Sequence, residues 1–343
     1  MKLSKLVHYL NQLERFSIEP VDLLAQTSLD DIVHVVQSHQ FQLETVSDTI
    51  GLRRDTVMQA IQNFEDYVND LKKTVRDKIT ELEPALFQQS YQWYEEQNNM
   101  LRGFNNQADT YRDDYGIVRR GKDKNVEAMR DTMLADMLKR LPKISAEAQE
   151  LQTARVRRTA DWRYPAMIIH PGNNDLVDHM VPNDPLYIID EHRQLLQPTM
   201  DRFPDGYQRR LRPYVVQEMP NQPILKNIPN DQFIVCVAYN FFDYKPLDII
   251  RQYLTEIYTK LRPGGVVIMT FNDCDRGCAV ESVEGNFACY TPGYLIRSLA
   301  EAIGYQKEFE FNNGDPWTWI EFQKPGTLST IRAGQTMAKI LPN

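Results

Sequence analysis

The chain has 343 residues, enough for two domains, and its 42% hydrophobic and 25% charged residues are ordinary for a globular protein. A net charge of −8 excludes broad, non-specific nucleic-acid binding, though not a local basic patch. No apolar run reaches the roughly 18 to 20 residues of a membrane span, and the opening MKLSKLVHYLNQLERF lacks the apolar core and cleavage site of a signal peptide, so a cytoplasmic protein with no membrane partner is expected.

The first 160 residues read as helix. Leu3, Leu6, Val7, Leu10 and Leu13 line one face of a first helix, which Glu19-Pro20 breaks. Ser28-Leu29-Asp30-Asp31 has the form of an N-cap with acids in the first turn, opening a helix through Val36. Thr45 to Met58 reads as helix, Gly51 turn and new helix. With Arg53-Arg54 this is either a nucleic-acid-docking helix-turn-helix or a hairpin that only packs. Val57, Ile61, Phe64, Val68, Leu71 and Val75, continued after a slip by Ile79, Leu82 and Leu86, form a heptad seam. The seam predicts a coiled-coil partner, in the same chain or in a second copy, and Pro84 predicts a kink.

Beyond the seam, Tyr91, Trp93 and Tyr94 make an aromatic stripe that either lines a substrate site or packs against another domain. The basic run Arg119 to Lys124 reads as a solvated loop. A helix follows through Met129, Met133, Met137 and Leu141 to Pro142. Ser145 to Thr159 is a last helix, carrying Arg155, Arg157 and Arg158. The composition shifts near Trp162, so the expected division is a helical domain over 1–160 and an α/β domain over 161–343.

The second half alternates strands and helices. Strands are expected at Ala166–His170, Pro185–Asp190, Tyr214–Met219, Phe233–Ala238 and Val266–Phe271. Between the last two, Pro246 opens a helix striped by Ile249, Ile250, Tyr253, Leu254, Ile257, Tyr258 and Leu261. Arg262-Pro263-Gly264-Gly265 stops it. A helix from Thr291-Pro292 to Ile303 ends at Gly304, and strands Gln306–Phe311 and Trp317–Phe322 flank the hairpin signal Asn312-Asn313-Gly314-Asp315. This pattern is that of a doubly wound, mostly parallel seven-stranded sheet with one antiparallel strand. Cys274, Cys278 and Cys289 lack the paired spacing of a metal site, so reduced cysteines and no metal are expected.

Leu261-Arg262-Pro263-Gly264-Gly265 before an apolar strand resembles the turn ahead of the fifth strand in class I S-adenosylmethionine-dependent methyltransferases, and the resemblance covers about residues 160–326. It implies a Rossmann-like methyltransferase fold, S-adenosylmethionine as cofactor, and methyl transfer to a small-molecule, protein or nucleic-acid acceptor. Against the family's acid-x-Gly-x-Gly-x-Gly loop, His170 stands at the acid, Gly172 at the first glycine and Asn174 at the second, with Asn173 between. Asn tolerates a left-handed φ better than most residues, so such a turn can persist. Asp190, followed by Glu191, ends the second strand where the family binds the ribose hydroxyls; capping the next helix is its other reading. The stretch Met219-Pro220-Asn221 closes the third strand, where the family contacts adenine, and Asn240 follows the fourth. Asp243 and Asp273 are candidate proton acceptors, or simply loop and cap residues.

Two functions follow. One is a methyltransferase whose N-terminal helices serve as a homo-oligomer contact, lid or substrate arm. The other is a catalytically inactive methyltransferase-like assembly protein with a helical oligomerisation arm. A nucleic-acid acceptor held by Arg53-Arg54 or by Arg155 to Arg158 is a variant of the first.

Overall fold

A computed structural model of the chain describes residues 3–14, 54–114, 145–171, 175–191, 193–218, 222–285, 288–312 and 317–328. The chain divides into two compact units, Met1–Pro84 and Ala85–Asn343. In the first, α1 (Leu3–Glu14) buries Leu3, Leu6 and Val7, and Glu14 pairs with Arg76. The long helix α2 runs over Arg54–Asp114, with Pro84 inside it. Of the described seam residues, Val68 is buried, while Ile61, Phe64, Leu71, Val75, Ile79, Leu82 and Leu86 are half-buried. The expected helix at Ser28–Val36, the Gly51 turn, the basic run and the Met129–Leu141 helix lie outside the described residues. Among those described, no helix is long and apolar enough to cross a membrane.

In the second unit, seven strands make one sheet in the order β3-β2-β1-β4-β5-β7-β6. They are β1 (Ala166–Ile169), β2 (Leu186–Asp190), β3 (Leu211–Val215), β4 (Phe233–Ala238), β5 (Leu261–Asn272), β6 (Gln306–Asn312) and β7 (Trp317–Gln323). Only β7 runs against its neighbours. The doubly wound, mostly parallel seven-stranded sheet with one antiparallel strand is therefore as expected.

Strand alternation sends side chains into two cores. Met167, Ile169, Ile189, Cys236, Ala238, Val267 and Met269 meet α7 (Leu247–Lys260) and α9 (Gly293–Ile303) on one face. Ala166, Ile168, Leu186, Ile188, Val235, Val237 and Trp319 meet α3 (Ala146–Arg157), α4 (Leu176–His179) and α5 (Arg193–Asp201) on the other. Ser145 caps α3 by accepting from the Ala148 N–H. Two further helices among the described residues are the single turn α6 (Asp205–Gln208) and α8 (Gly277–Glu284).

Three local results differ from the sequence reading. The third strand is Leu211–Val215, several residues earlier than expected. Pro213 lies inside it, and β3 is an edge strand, where a missing N–H is tolerated. The fifth strand begins at Leu261, which pairs with Phe233 before the register shifts to Val235↔Val266. Arg262 to Gly265 thus bulge out within β5 rather than preceding it. Gly264 has φ +80°, and a Cβ on Gly265 would lie 2.8 Å from the Phe233 carbonyl oxygen, which is why the bulge is built from glycines. Finally, α8 sits in a stretch for which no helix was expected.

Candidate active site

In an open α/β sheet the ligand crevice lies at the carboxyl ends of the strands where the winding reverses. Here that point falls between β1 and β4. His170 (φ 53°) directly follows β1 and Asn240 (φ 51°) follows β4, and both are left-handed. Two such turns side by side carry the chain abruptly off the sheet. The rings of His170 and Phe241 face each other across the gap with centroids 5.8 Å apart.

The strand ends converge on a charged cluster. His170 Nδ1 lies 3.0 Å from Asp190 Oδ2; the carboxylate is fully buried, the imidazole 38% exposed. The Val216 N–H donates to the Asp190 carbonyl and fixes the end of β2 against β3. Burial pulls the imidazolium pKa down, but the hydrogen bond and charge of Asp190, helped by Glu191, outweigh it and raise the pKa above the ordinary histidine value. Next to this pair, Lys245 Nζ stands 2.6 Å from Glu191 and 2.8 Å from Glu218. The ammonium is also 4.8 Å from the Phe241 ring centroid and 5.1 Å from that of Tyr94. Burial opposes its charge, yet the two glutamates raise its pKa above the usual lysine value.

Local sequence explains the position of Lys245. Phe242–Tyr244 form one 3-10 turn, whose Phe242 carbonyl accepts from the Lys245 N–H. Pro246 then caps α7, so the side chain projects from a fixed point between two elements. The α2 segment Phe87 to Tyr94 runs along the same edge. Phe87 meets Tyr290 edge-on, Ser90 Oγ accepts from the Tyr290 N–H, and the Tyr94 hydroxyl donates to Glu218. Tyr253 of α7 packs edge-on against Phe241, and burial together with Glu218 and Glu191 holds its hydroxyl pKa well above normal.

The structure thus brings together three expected residues, His170, Asp190 and Glu191. Gly172, Asn173, Asn174 and Met219 lie outside the described residues. Asn240 donates its backbone N–H to Thr270 Oγ1, and its side-chain oxygen is buried without a partner. Asp243 lies beneath the loop at 0% exposure. Thr270 is 3.5 Å from its Oδ2, its Oδ1 has no partner, and burial pushes its pKa well above the carboxylate range. Sequence reasoning missed Glu218 and Lys245. An acid after the third strand was missed because the strand was set too late, which left Glu218 inside it. Lys245 carried one faint signal, its place between a strand-end loop and a helix-opening proline.

Asp273 occupies a second place on the same edge. It lines an open cavity of about 470 Å³ with Arg276, Arg297, Lys307, Glu310 and Thr318. Arg297 reaches Glu310 at 2.5 Å, Asp275 at 3.0 Å and Asp273 at 3.5 Å, and Thr318 donates to Asp273 at 2.8 Å. Burial, then the Asp273 charge, raises the Asp275 pKa.

Arg155 and Arg158 are paired with acids of the last two strands. Glu321, wholly buried in β7, accepts from Arg155, Arg158 and Trp319 Nε1, and Glu308 takes a further bond from Arg158. All four cysteines are free thiols, and among the described residues no group of side chains could hold a metal ion. Burial raises the thiol pKa of Cys236, Cys274 and Cys289, which makes them poor nucleophiles.

No family model matches the chain, and no curated protein matches it in sequence. Solved structures similar to it include the CurJ carbon methyltransferase, 13% identical over 48% of this chain and 49% of that one, with a TM-score of 0.38. The [4+2]-cyclase SpnF is 11% identical over 51% and 81%, at 0.40. The N-methyltransferase NodS from Bradyrhizobium japonicum is 12% identical over 53% and 98%, at 0.38. The chain spans about half the length of the first of these, and none of the three bears on its chemistry.

Proposed function

We propose that the chain is an S-adenosylmethionine-dependent methyltransferase acting on an acceptor still to be identified. The observation that carries this reading is the convergence of Asp190 and Glu191 with His170 at the switch point. The donor set suits an adenosyl group. Glu191 meets Lys245 through one oxygen, Oε1, and is partly exposed, so its other oxygen can accept a ribose hydroxyl beside Asp190. The Gly172 to Asn174 loop and Met219 would flank the methionine and adenine ends, and Asn240 would border the reacting centre. The cofactor, when bound, supplies a methyl group on a sulfonium. The chain's own part is to orient the acceptor and exclude water. Of the two proton acceptors, Asp273 faces an open cavity, whereas Asp243 is enclosed; the geometry favours Asp273.

The helical part, over about residues 1–160 ahead of the 161–343 domain, would act as a lid and as a homo-oligomer contact. The half-buried seam from Ile61 to Leu86 supports a coiled-coil partner. A second reading, an inactive methyltransferase-like assembly protein, is favoured by one observation: the acids that would meet ribose already hold His170 and Lys245.

Titration calorimetry with S-adenosylhomocysteine separates the two. Binding in the wild type that falls at least tenfold in Asp190→Asn supports the methyltransferase. Wild-type protein that takes up no heat at millimolar ligand supports the assembly protein.

A further inference from the structure

The surroundings of the Lys245 ammonium have the chemistry of a receptor for an organic cation. Two carboxylates, Glu191 and Glu218, flank it at 2.6 and 2.8 Å. The rings of Phe241 and Tyr94 stand on it at 4.8 and 5.1 Å. The lysine side chain is 8% exposed and Glu218 only 4%, so these groups act in a medium that strengthens attraction to a cation. Three of the four walls have contacts besides Lys245. Tyr94 donates to Glu218 from α2, Tyr253 lies against Phe241, and Glu191 directly follows β2. Lysine alone reaches the cage on a long, flexible stem.

We infer that this cage, formed by Glu191, Glu218, Phe241 and Tyr94, is a binding site for a small alkylammonium or sulfonium ion, and that Lys245 occupies it as a displaceable internal ligand. A permanently charged methylated cation gains the same two carboxylates and the same ring faces. On arrival it sends the lysine head toward solvent. The site itself stands whether or not the chain is a methyltransferase; only the identity of the natural cation, donor sulfonium or acceptor amine, rests on that reading.

Two measurements on the full chain test this. In Lys245→Ala the lost atoms correspond to n-propylammonium. That ion is expected to restore the melting temperature saturably in the millimolar range, while sodium chloride at equal ionic strength does not. Adding Glu191→Gln and Glu218→Gln should abolish the rescue. Equal effects of propylammonium and sodium would overturn the proposal. Should Lys245→Ala not fold, the wild type answers through reductive methylation read by mass spectrometry. Lys245 should be protected in sodium chloride and modified at least fivefold faster with trimethylsulfonium present, and an unchanged rate overturns the proposal. S-adenosylmethionine and its neutral thioether product then sort the source. If S-adenosylmethionine exposes Lys245 and the thioether does not, the cage holds the donor sulfonium. If S-adenosylmethionine binds but leaves Lys245 protected while propylammonium exposes it, the cage holds an acceptor amine. If neither adenosyl compound binds yet propylammonium exposes the lysine, the cage stands and the methyltransferase reading fails.

Discussion

The crevice at the β1/β4 switch point and the cavity beyond β5 are built from the same kinds of groups, and their surroundings make them behave differently. In the crevice, Lys245 is 8% exposed between two glutamates and His170 stands on a buried aspartate. In the cavity, Arg297 is 32% exposed among three carboxylates and Lys307 is 53% exposed. Water therefore screens Arg297 and Lys307 far more than it screens Lys245, while the His170 ring is as exposed as Arg297. Charge count therefore says little about how much either network contributes; desolvation decides it.

The largest expected effect comes from cutting the buried network. Lys245→Ala leaves Glu191 and Glu218 facing each other without a counter-ion, a change that costs about 3 to 5 kcal/mol. At about 2 to 4 °C per kcal/mol for a domain of this size, the melting temperature should fall by about 10 °C. A fall below about 2 °C would mean that the crevice is as well hydrated as the cavity, and the contrast would collapse.

Titration sharpens the contrast next. Burial raises the Asp243 pKa, so the folded protein keeps a proton that the unfolded chain releases above about pH 4. Its stability contribution is then complete at low pH and lost as pH rises toward the folded pKa. Asp243→Asn should melt with the wild type near pH 3.5 and above it at pH 8, by on the order of 1 to 3 kcal/mol. His170 is also raised, so the stability it lends is full below about pH 6.5 and declines above it. His170→Gln should therefore lose most at pH 6 and least at pH 9, by under about 1 kcal/mol because the ring is partly exposed. Melting curves at five pH values check both signs.

The sheet was largely legible because its strands are apolar and its helix stops are emphatic. The helix from Pro246, the Gly304 stop and the last two strands fall within a residue or two of expectation. The crevice was half legible. His170, Asp190 and Glu191 follow directly from strand ends, but Lys245 and Glu218 meet across 27 residues of chain, and no local period announces such a pair. One misplaced edge strand hid Glu218 altogether. The domain arrangement of the helical part is not written in its heptads, because a seam names a partner surface without saying whose it is.

Gly293 tests whether the cavity is assembled or accidental. A Cβ there would stand 2.4 Å from Asp273 Oδ1, 2.7 Å from an Arg297 nitrogen and 2.8 Å from Asp275 Oδ2. These are ends of side chains, so Gly293→Ala should displace them rather than the backbone. The expected cost is about 1 kcal/mol, after alanine's helical advantage is set against the crowding. A variant more stable than wild type would show that the three groups gain nothing from converging.

The smallest effect belongs to Lys307. It meets Glu310 at 3.2 Å, three residues along the edge strand β6, and Glu310 keeps Arg297 at 2.5 Å when the lysine is gone. Hydrogen bonding to Arg297 with the charges of both bases holds the Glu310 pKa below normal despite its partial burial. Lys307→Ala should thus cost under about 0.5 kcal/mol, and the loss should disappear in 0.5 M salt. Lys245→Ala should keep most of its penalty in the same salt, since ions screen a buried pair poorly. Paired melts of the two variants, at low and high salt, therefore separate the networks by response rather than by size. If both penalties fade together, desolvation is not what distinguishes crevice from cavity.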